Sequence, residues 1–375
     1  MTVLNILIIN WRDIKNPEAG GAEVHLHEIS RRMAARGHMV TVLASGWEGA
    51  PAEEVVDGVR VVRRGGKFAF NYHVPGASRA LLARDGFDIV VDDINKIPFY
   101  TPVYIRKPIL ALAHHLFAET IFLETAFPLA TYVYLSEALI PLVYKKTKFV
   151  AVSDSTRDDL VRRGIPRANI SVVYNAVDHD RYTPGDHLKA PEPLLAYLGR
   201  IKRYKRIDLV LAAAKRVFER FPSARLVIVG SGDGLPELVR LAGRLGIGDR
   251  VEFTGFVTED RKIEILRQAH VVLNPSSKEG WGVTVTEANA CGTPVVASNV
   301  PGLRDAVLDG KTGFLVNYGD VQGFAERVSA ILASDALRNQ LSEAAVAWAR
   351  EFNWDRSADS ILSVIADMVR TSQRS

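Results

Sequence analysis

Five cations fall within the seven residues Arg200-Ile-Lys-Arg-Tyr-Lys205-Arg206, directly after the apolar run LLAYLG. If that run is a parallel strand, the cations stand at its carboxyl edge, where open α/β sheets take their ligands. An arginine fork beside a lysine point charge suits a diphosphate. A solvated first turn of a helix would use the same residues, but helix N-termini favour acids over bases. A second cluster is Glu279-Gly280-Trp281-Gly282-Val283-Thr284-Val285-Thr286-Glu287, in which a loop framed by glycines opens into a helix near Val283. Backbone N–H groups at that helix start can take a phosphate. Carboxylates accept hydrogen bonds from hydroxyls, so Glu279 and Glu287 both suit a sugar or a ribose.

Two glycine loops and a histidine pair follow. Gly20-Gly21-Ala22-Glu23 lies between the run NILIIN and the next helix, where the main chain can approach phosphate or sugar. Plain turn geometry explains it equally well. Gly230-Ser-Gly232-Asp-Gly234 resembles a dinucleotide fingerprint with Glu252 at ribose distance, but Leu235 replaces its third glycine, which favours a tight turn. His114 and His115 end the run PILALA, where an imidazole can donate to a sugar hydroxyl or shuttle a proton. One of the two is expected to be an ordinary core histidine. Asp92-Asp93 lacks further ligands at metal spacing, so no metal site is expected.

The elements that must position these residues are short β-branched runs alternating with amphipathic helices. Strands are predicted at 5–10, 40–45, 59–63, 88–91, 109–114 and 149–153, and again at 194–198, 225–229, 251–253, 271–274, 294–297 and 314–316. The runs lack strict alternation, as strands covered on both faces do. Between the two sets, Asp178 to Pro193 holds Pro184, Gly185, Pro191 and Pro193 and reads as a hinge. Two Rossmann-like, doubly wound parallel-sheet units follow from this order, and two facing sheets would set the site in a cleft between them.

Composition narrows the class. The 375 residues suit two or three domains, and 47% hydrophobic with 24% charged residues exclude a disordered or fibrous chain. A net charge of +4 is too small for a nucleic-acid binder, so none is expected as a partner. The single cysteine, Cys291, and a start without a basic region or cleavage site point to a cytoplasmic chain. Thr125 to Tyr144 carries one charge, Glu137, in twenty residues, with Lys145, Lys146 and Lys148 next. Pro128, Pro141 and Glu137 make it a poor membrane span. Buried helices are the expected reading, with a peripheral contact at the inner membrane face through 116–148 as the alternative.

Taken in order, these motifs resemble retaining glycosyltransferase family 4. Glu279 and Glu287, with seven residues between them, resemble its paired-glutamate motif, Trp281 standing where phenylalanine is usual. GRIKRYK resembles its Gly-Arg-x4-Lys element, GGAE its N-terminal donor loop, and YNAVDHDRYTP its Asn-Gly-Val-Asp segment with Ala176 in place of glycine. VSDSTRDDL, FTGFV and PGLRDAVLDGKTGFLV also fit, so the resemblance covers nearly the whole chain.

The resemblance implies an α/β, GT-B fold: an acceptor-side domain over 1–185, a donor domain over 186–354, and a terminal helix, 355–375, crossing back to the first. It implies transfer of a sugar from a nucleotide-diphosphate sugar to a hydroxyl acceptor (glycan, lipid-linked or small molecule) with retention, and with no metal or cofactor. Arg200 and Lys205 would grip the donor diphosphate, aided by Gly20, Gly21, Gly280, Gly282 and the N–H groups of Val283 and Thr284. Glu279 would hold the donor sugar, Glu287 the ribose, and His114 would be the active-site histidine. A sugar-nucleotide epimerase and an NAD-dependent oxidoreductase are the alternatives on similar scaffolds.

Overall fold

The computed structural model describes residues 2–95, 97–125, 127–186 and 189–374. Lys96, Ala126 and the hinge residues His187 and Leu188 lie outside the described residues. The chain divides into two compact units, one of Met1–Ile121, Phe127–Asn175 and Trp354–Ser375, the other of Phe122–Ala126 and Ala176–Asn353.

The first unit is built on β1 (Asn5–Ile9), β2 (Met39–Ala44), β3 (Glu53–Val56), β4 (Val59–Arg63), β5 (Ile89–Ile94), β6 (Ile109–Ala113), β7 (Lys148–Ala151) and β8 (Ile170–Val172). They lie in the order β3-β4-β2-β1-β5-β6-β7-β8. Every pairing is parallel except β3 with β4. Of this hairpin, β4 was among the expected strands and β3 was not. Asp57 and Gly58 both take positive φ, 48° and 79°, as a two-residue turn twisted to match its strands demands. The chain order reverses between β1 and β5, so their carboxyl ends open the crevice typical of such a switch point.

The helix Gly21–Ala35 leaves β1, and the closing helix Trp354–Arg374 belongs to the same unit and packs on it. Trp354 stands 5.6 Å from the His25 ring, and Arg36 reaches Asp355 and Asp359 at 3.1 and 2.8 Å. Exposed ion pairs of this kind add little stability; the apolar seam of Ile361, Leu362 and Ile365 does more.

The second unit holds β9 (Leu194–Leu198), β10 (Arg225–Val229), β11 (Val251–Gly255), β12 (Val271–Asn274), β13 (Val295–Ser298) and β14 (Gly313–Val316). Their order is β11-β10-β9-β12-β13-β14, all parallel, with the reversal between β9 and β12. Helix Ile207–Arg220 turns Ile207, Val210, Leu211, Ala214, Val217 and Phe218 onto this sheet.

Two expectations need correction. The division between units falls at Asn175/Ala176, earlier than 185/186. The proline-rich segment after it is tied to the second unit: Tyr182 is buried, and Arg267 donates to Thr183 O and Oγ1 at 2.7 and 2.8 Å. The described residues before 187 are thus held to the second unit.

The Gly230–Gly234 loop also has a packing explanation. A Cβ at Gly230 would lie 2.0 Å from Gly199 O, and one at Gly232 2.0 Å from Ile201 O. Ile201 N donates to Ser231 O at 2.8 Å. These glycines let the loop after β10 lie against the loop after β9, which carries Arg200 to Lys205, while Glu252 is exposed on the edge strand. Gly232→Ala is therefore expected to cost about 1–3 kcal/mol through overpacking, read as a lower denaturation midpoint. An unchanged midpoint would contradict the packing explanation.

Candidate active site

In the second unit, Lys205 and Glu279 meet at the carboxyl edge where the strand order reverses. Lys205 follows β9 and Glu279 follows β12, and the Lys205 Nζ forms an ion pair with Glu279 Oε1. Their side chains are only 15% and 14% exposed, so each needs the other. Burial works against the ammonium, but the Glu279 carboxylate outweighs it and holds the Lys205 pKa above the ordinary lysine value. Ser276 Oγ donates to the same carboxylate oxygen at 2.8 Å.

The loop from Glu279 into helix Val283–Ala290 is shaped by close backbone contacts. Gly282 has φ 91° and no room for a side chain, because a Cβ would meet Leu303 Cδ2 at 2.8 Å. Gly302 passes so near that its Cβ would lie 2.3 Å from Glu279 O. Trp281 is buried, donates from Nε1 to Thr286 Oγ1 at 2.8 Å and packs edge-on against Phe352. It anchors the turn. Val285 N donates to Gly282 O at 2.8 Å, whereas Val283 and Thr284 occupy the first turn, where N–H groups have no acceptor within the helix. Gly280 lies between these anchors.

Glu287 stands in the second turn of that helix. Its Oε1 accepts from Lys262 Nζ at 2.7 Å, and the Tyr182 hydroxyl also bonds the buried carboxylate. Burial pushes the Glu287 pKa up and Lys262 opposes the shift. Lys262 also lies 5.3 Å from the Tyr182 ring centre, and Tyr182 donates to Glu259. Arg200 is exposed in the loop after β9, with its carbonyl accepting from Tyr197 Oη at 3.2 Å. Of the other cations in that loop, Lys202 pairs with Asp233, and Arg206 with Asp208 and Tyr318. The run of five is thus two candidate ligand groups, Arg200 and Lys205, two tethers, Lys202 and Arg206, and the exposed Arg203.

Gly20, Gly21 and His114 belong to the first unit. Gly20 caps helix Gly21–Ala35, its N–H donating to Glu23 Oε2 at 2.7 Å, and Asn95 Nδ2 donates to Glu23 Oε1 at 3.2 Å. His114 leaves β6 with Nε2 3.0 Å from Asp93 Oδ1, both side chains buried. His25 stacks edge-on against it at 5.1 Å. Burial alone would lower the His114 pKa; the Asp93 carboxylate, and then Glu23, outweigh it and raise it. Burial first, and then His114, push His25 well below the ordinary range. His115 is half-buried against Phe117.

Sequence reading missed Lys262, Tyr182, Ser276 and Asp93. Asp93 had a readable signal: an acid inside the buried run IVVDDI requires a partner. Neighbouring strand residues face opposite ways, and Asp92 accordingly bonds Thr101 Oγ1 and Tyr144 Oη, both at 2.6 Å. Among the described residues, no three His, Cys, Asp or Glu are grouped to hold a metal ion.

Residues 19–181 match Glycosyltransferase Family 4, and residues 182–348 match Glycosyl transferases group 1. A D-inositol 3-phosphate glycosyltransferase from Xylanimonas cellulosilytica is 32% identical over 394 residues, covering 94% of this chain and 93% of that protein. The chain belongs to glycosyltransferase family 4. The protein of the same name from Mycobacteroides abscessus is 42% identical over 209 residues, 52% of this chain and 46% of that one. The family-4 chain thus spans about half the length of that and several other curated relatives it matches. Among solved structures, sucrose-phosphate synthase from Thermosynechococcus elongatus superposes with TM-score 0.85 at 22% identity, over 98% of this chain and 100% of that one. Anabaena HepE in complex with UDP-glucose gives 0.77 at 18%, over 97% and 100%. These likenesses establish the GT-B fold for the family-4 chain.

The buried pair in the first unit is testable by titration. A histidine whose folded pKa is raised adds stability that is full below about 6.5 and is lost as pH rises through the folded value. Asp93→Asn removes the larger counter-charge and leaves only Glu23 against burial, so the His114 pKa is expected to fall, measured by NMR of the imidazole nitrogens. An unchanged titration would contradict the pairing.

Proposed function

We propose that the protein transfers a sugar from a nucleoside-diphosphate sugar to a hydroxyl acceptor with net retention. The observation that carries this reading is the Lys205–Glu279 pair beside the start of helix Val283–Ala290, at the edge where the second sheet reverses. A donor diphosphate placed there meets Lys205, Arg200 and the N–H groups of Val283 and Thr284. Glu279, released from Lys205, accepts from donor-sugar hydroxyls, and the Glu287 carboxylate, held in place by Lys262, accepts from the ribose. The names of the relatives and the UDP-glucose bound to HepE support a nucleotide-sugar donor.

In the reaction, the bond between the anomeric carbon and the diphosphate oxygen breaks, and its electron pair leaves with the diphosphate. The cations stabilise that charge as it grows, which is the term that most often dominates such catalysis. The acceptor oxygen bonds the anomeric carbon from the leaving group's own face and yields its proton to a phosphate oxygen. Neither glutamate is a nucleophile in this scheme, and the two cations compensate the charge without a resident cofactor. In the first unit, His114 offers an imidazole to a sugar hydroxyl, and Gly20 and Gly21 a main chain that no side chain screens. The relatives' name makes inositol 3-phosphate the first acceptor to try.

Two variants separate the assigned roles. Arg200→Ala is expected to lower kcat about 10²–10³-fold, as loss of one charge-stabilising donor does. Glu287→Ala is expected chiefly to raise the donor KM, about 10-fold or more. Donor turnover that is unaltered in both would overturn the site.

A further inference from the structure

Residues 127–148 follow β6 and return the chain to β7, and they carry two apolar stripes where a surface helix needs one. Helix Leu129–Ala138 runs on into Ile140–Val143. Ala130, Val133, Glu137, Ile140 and Tyr144 form the inner stripe, all buried. Leu129, Tyr132, Leu135, Leu139 and Leu142, at the same three- and four-residue spacing, form an outer stripe that is 46%, 47%, 58%, 46% and 76% exposed. Phe127, 79% exposed, precedes it. The expected burial of this region is therefore half right: one face is core, the other lies in water. Clustered exposed apolar side chains of this size mark an interaction surface.

The outer stripe ends on charge. Three and four residues beyond Leu142 come Lys145 and Lys146, exposed and without an ion-pair partner among the described residues. Lys148 is also exposed. No carboxylate stands on the stripe, so a second copy laid face to face would give these lysines nothing to pair with. An anionic bilayer offers both parts, acyl chains for the leucines and headgroup charge for the lysines, and Tyr132 suits the boundary between them. The face is also rigidly held. Glu137 accepts from the N–H groups of Phe117 and Ala118 at 2.6 and 2.8 Å, which ties the helix to the segment after His114.

We propose that the outer face of residues 127–146 is a docking surface for an anionic lipid bilayer. The inference does not depend on the donor-site assignment. Co-sedimentation of the full chain with phosphatidylcholine vesicles, with and without phosphatidylglycerol, tests it. Binding is expected with phosphatidylglycerol and should weaken as salt rises. Lys145→Ala with Lys146→Ala should reduce partitioning about 25-fold, about fivefold per lysine. Leu135→Glu with Leu142→Glu should abolish binding, with the melting temperature unchanged because both positions are exposed. No sedimentation with phosphatidylglycerol vesicles at low salt, or equal binding by the leucine variant, would overturn the proposal. So would self-association of the wild type that the leucine variant loses, since a second copy would then be the occupant.

Discussion

A lysine ammonium withdrawn from water must find a carboxylate, and at the carboxyl edge of the second sheet Lys205 finds Glu279. Removing one member of such a pair costs about 3–5 kcal/mol because the other is left buried and unmatched. The surrounding backbone serves to keep the two within reach. Gly230 and Gly232 let the loop bearing Lys205 settle against its neighbour, and Ser277 N and Oγ both donate to Tyr204 O, joining that loop to the one bearing Glu279. Gly302 and Gly282 then close the turn into helix Val283–Ala290, with Trp281 buried as its anchor.

The first unit repeats the device with different chemistry. Its parallel strands are covered on both faces, which leaves the strand ends as the place for charge. There Asp93 holds His114 and Glu23 holds Gly20 and Asn95. In both units, then, a buried carboxylate favours the protonated form of a basic side chain just beyond a strand. Such pairs contribute little net stability. They keep a charge at a defined point, which is what binding an anion or a sugar hydroxyl requires.

The alternation of short apolar runs with helices was readable because most such runs are strands buried on both faces, as in Ile6–Ile9 and Val271–Leu273, the partly exposed edge strand Val251–Gly255 being an exception. Strand Glu53–Val56 escaped because, as an edge strand, it is partly exposed and carries two glutamates, although the Asp57-Gly58 turn announced it. Glu279 and Lys205 were legible from a motif of fixed spacing. Lys262 was not, since it reaches Glu287 from a separate helix and no local spacing encodes that contact. The outer stripe from Leu129 to Leu142 was misread for a related reason. Composition tells that a helix is apolar, and only packing tells which of its two apolar faces the core has room for.

The account turns on whether Lys205 in the free protein is a diphosphate ligand held in readiness by Glu279. A double-mutant cycle on UDP affinity, measured by calorimetry for Lys205→Met, Glu279→Gln and the double variant, addresses this directly. The account predicts that Lys205→Met weakens UDP binding at least tenfold. Glu279→Gln, which frees the ammonium, leaves UDP binding equal or tighter, and its effect vanishes once Lys205 is gone. Equal UDP affinity in the wild type and Lys205→Met would contradict it.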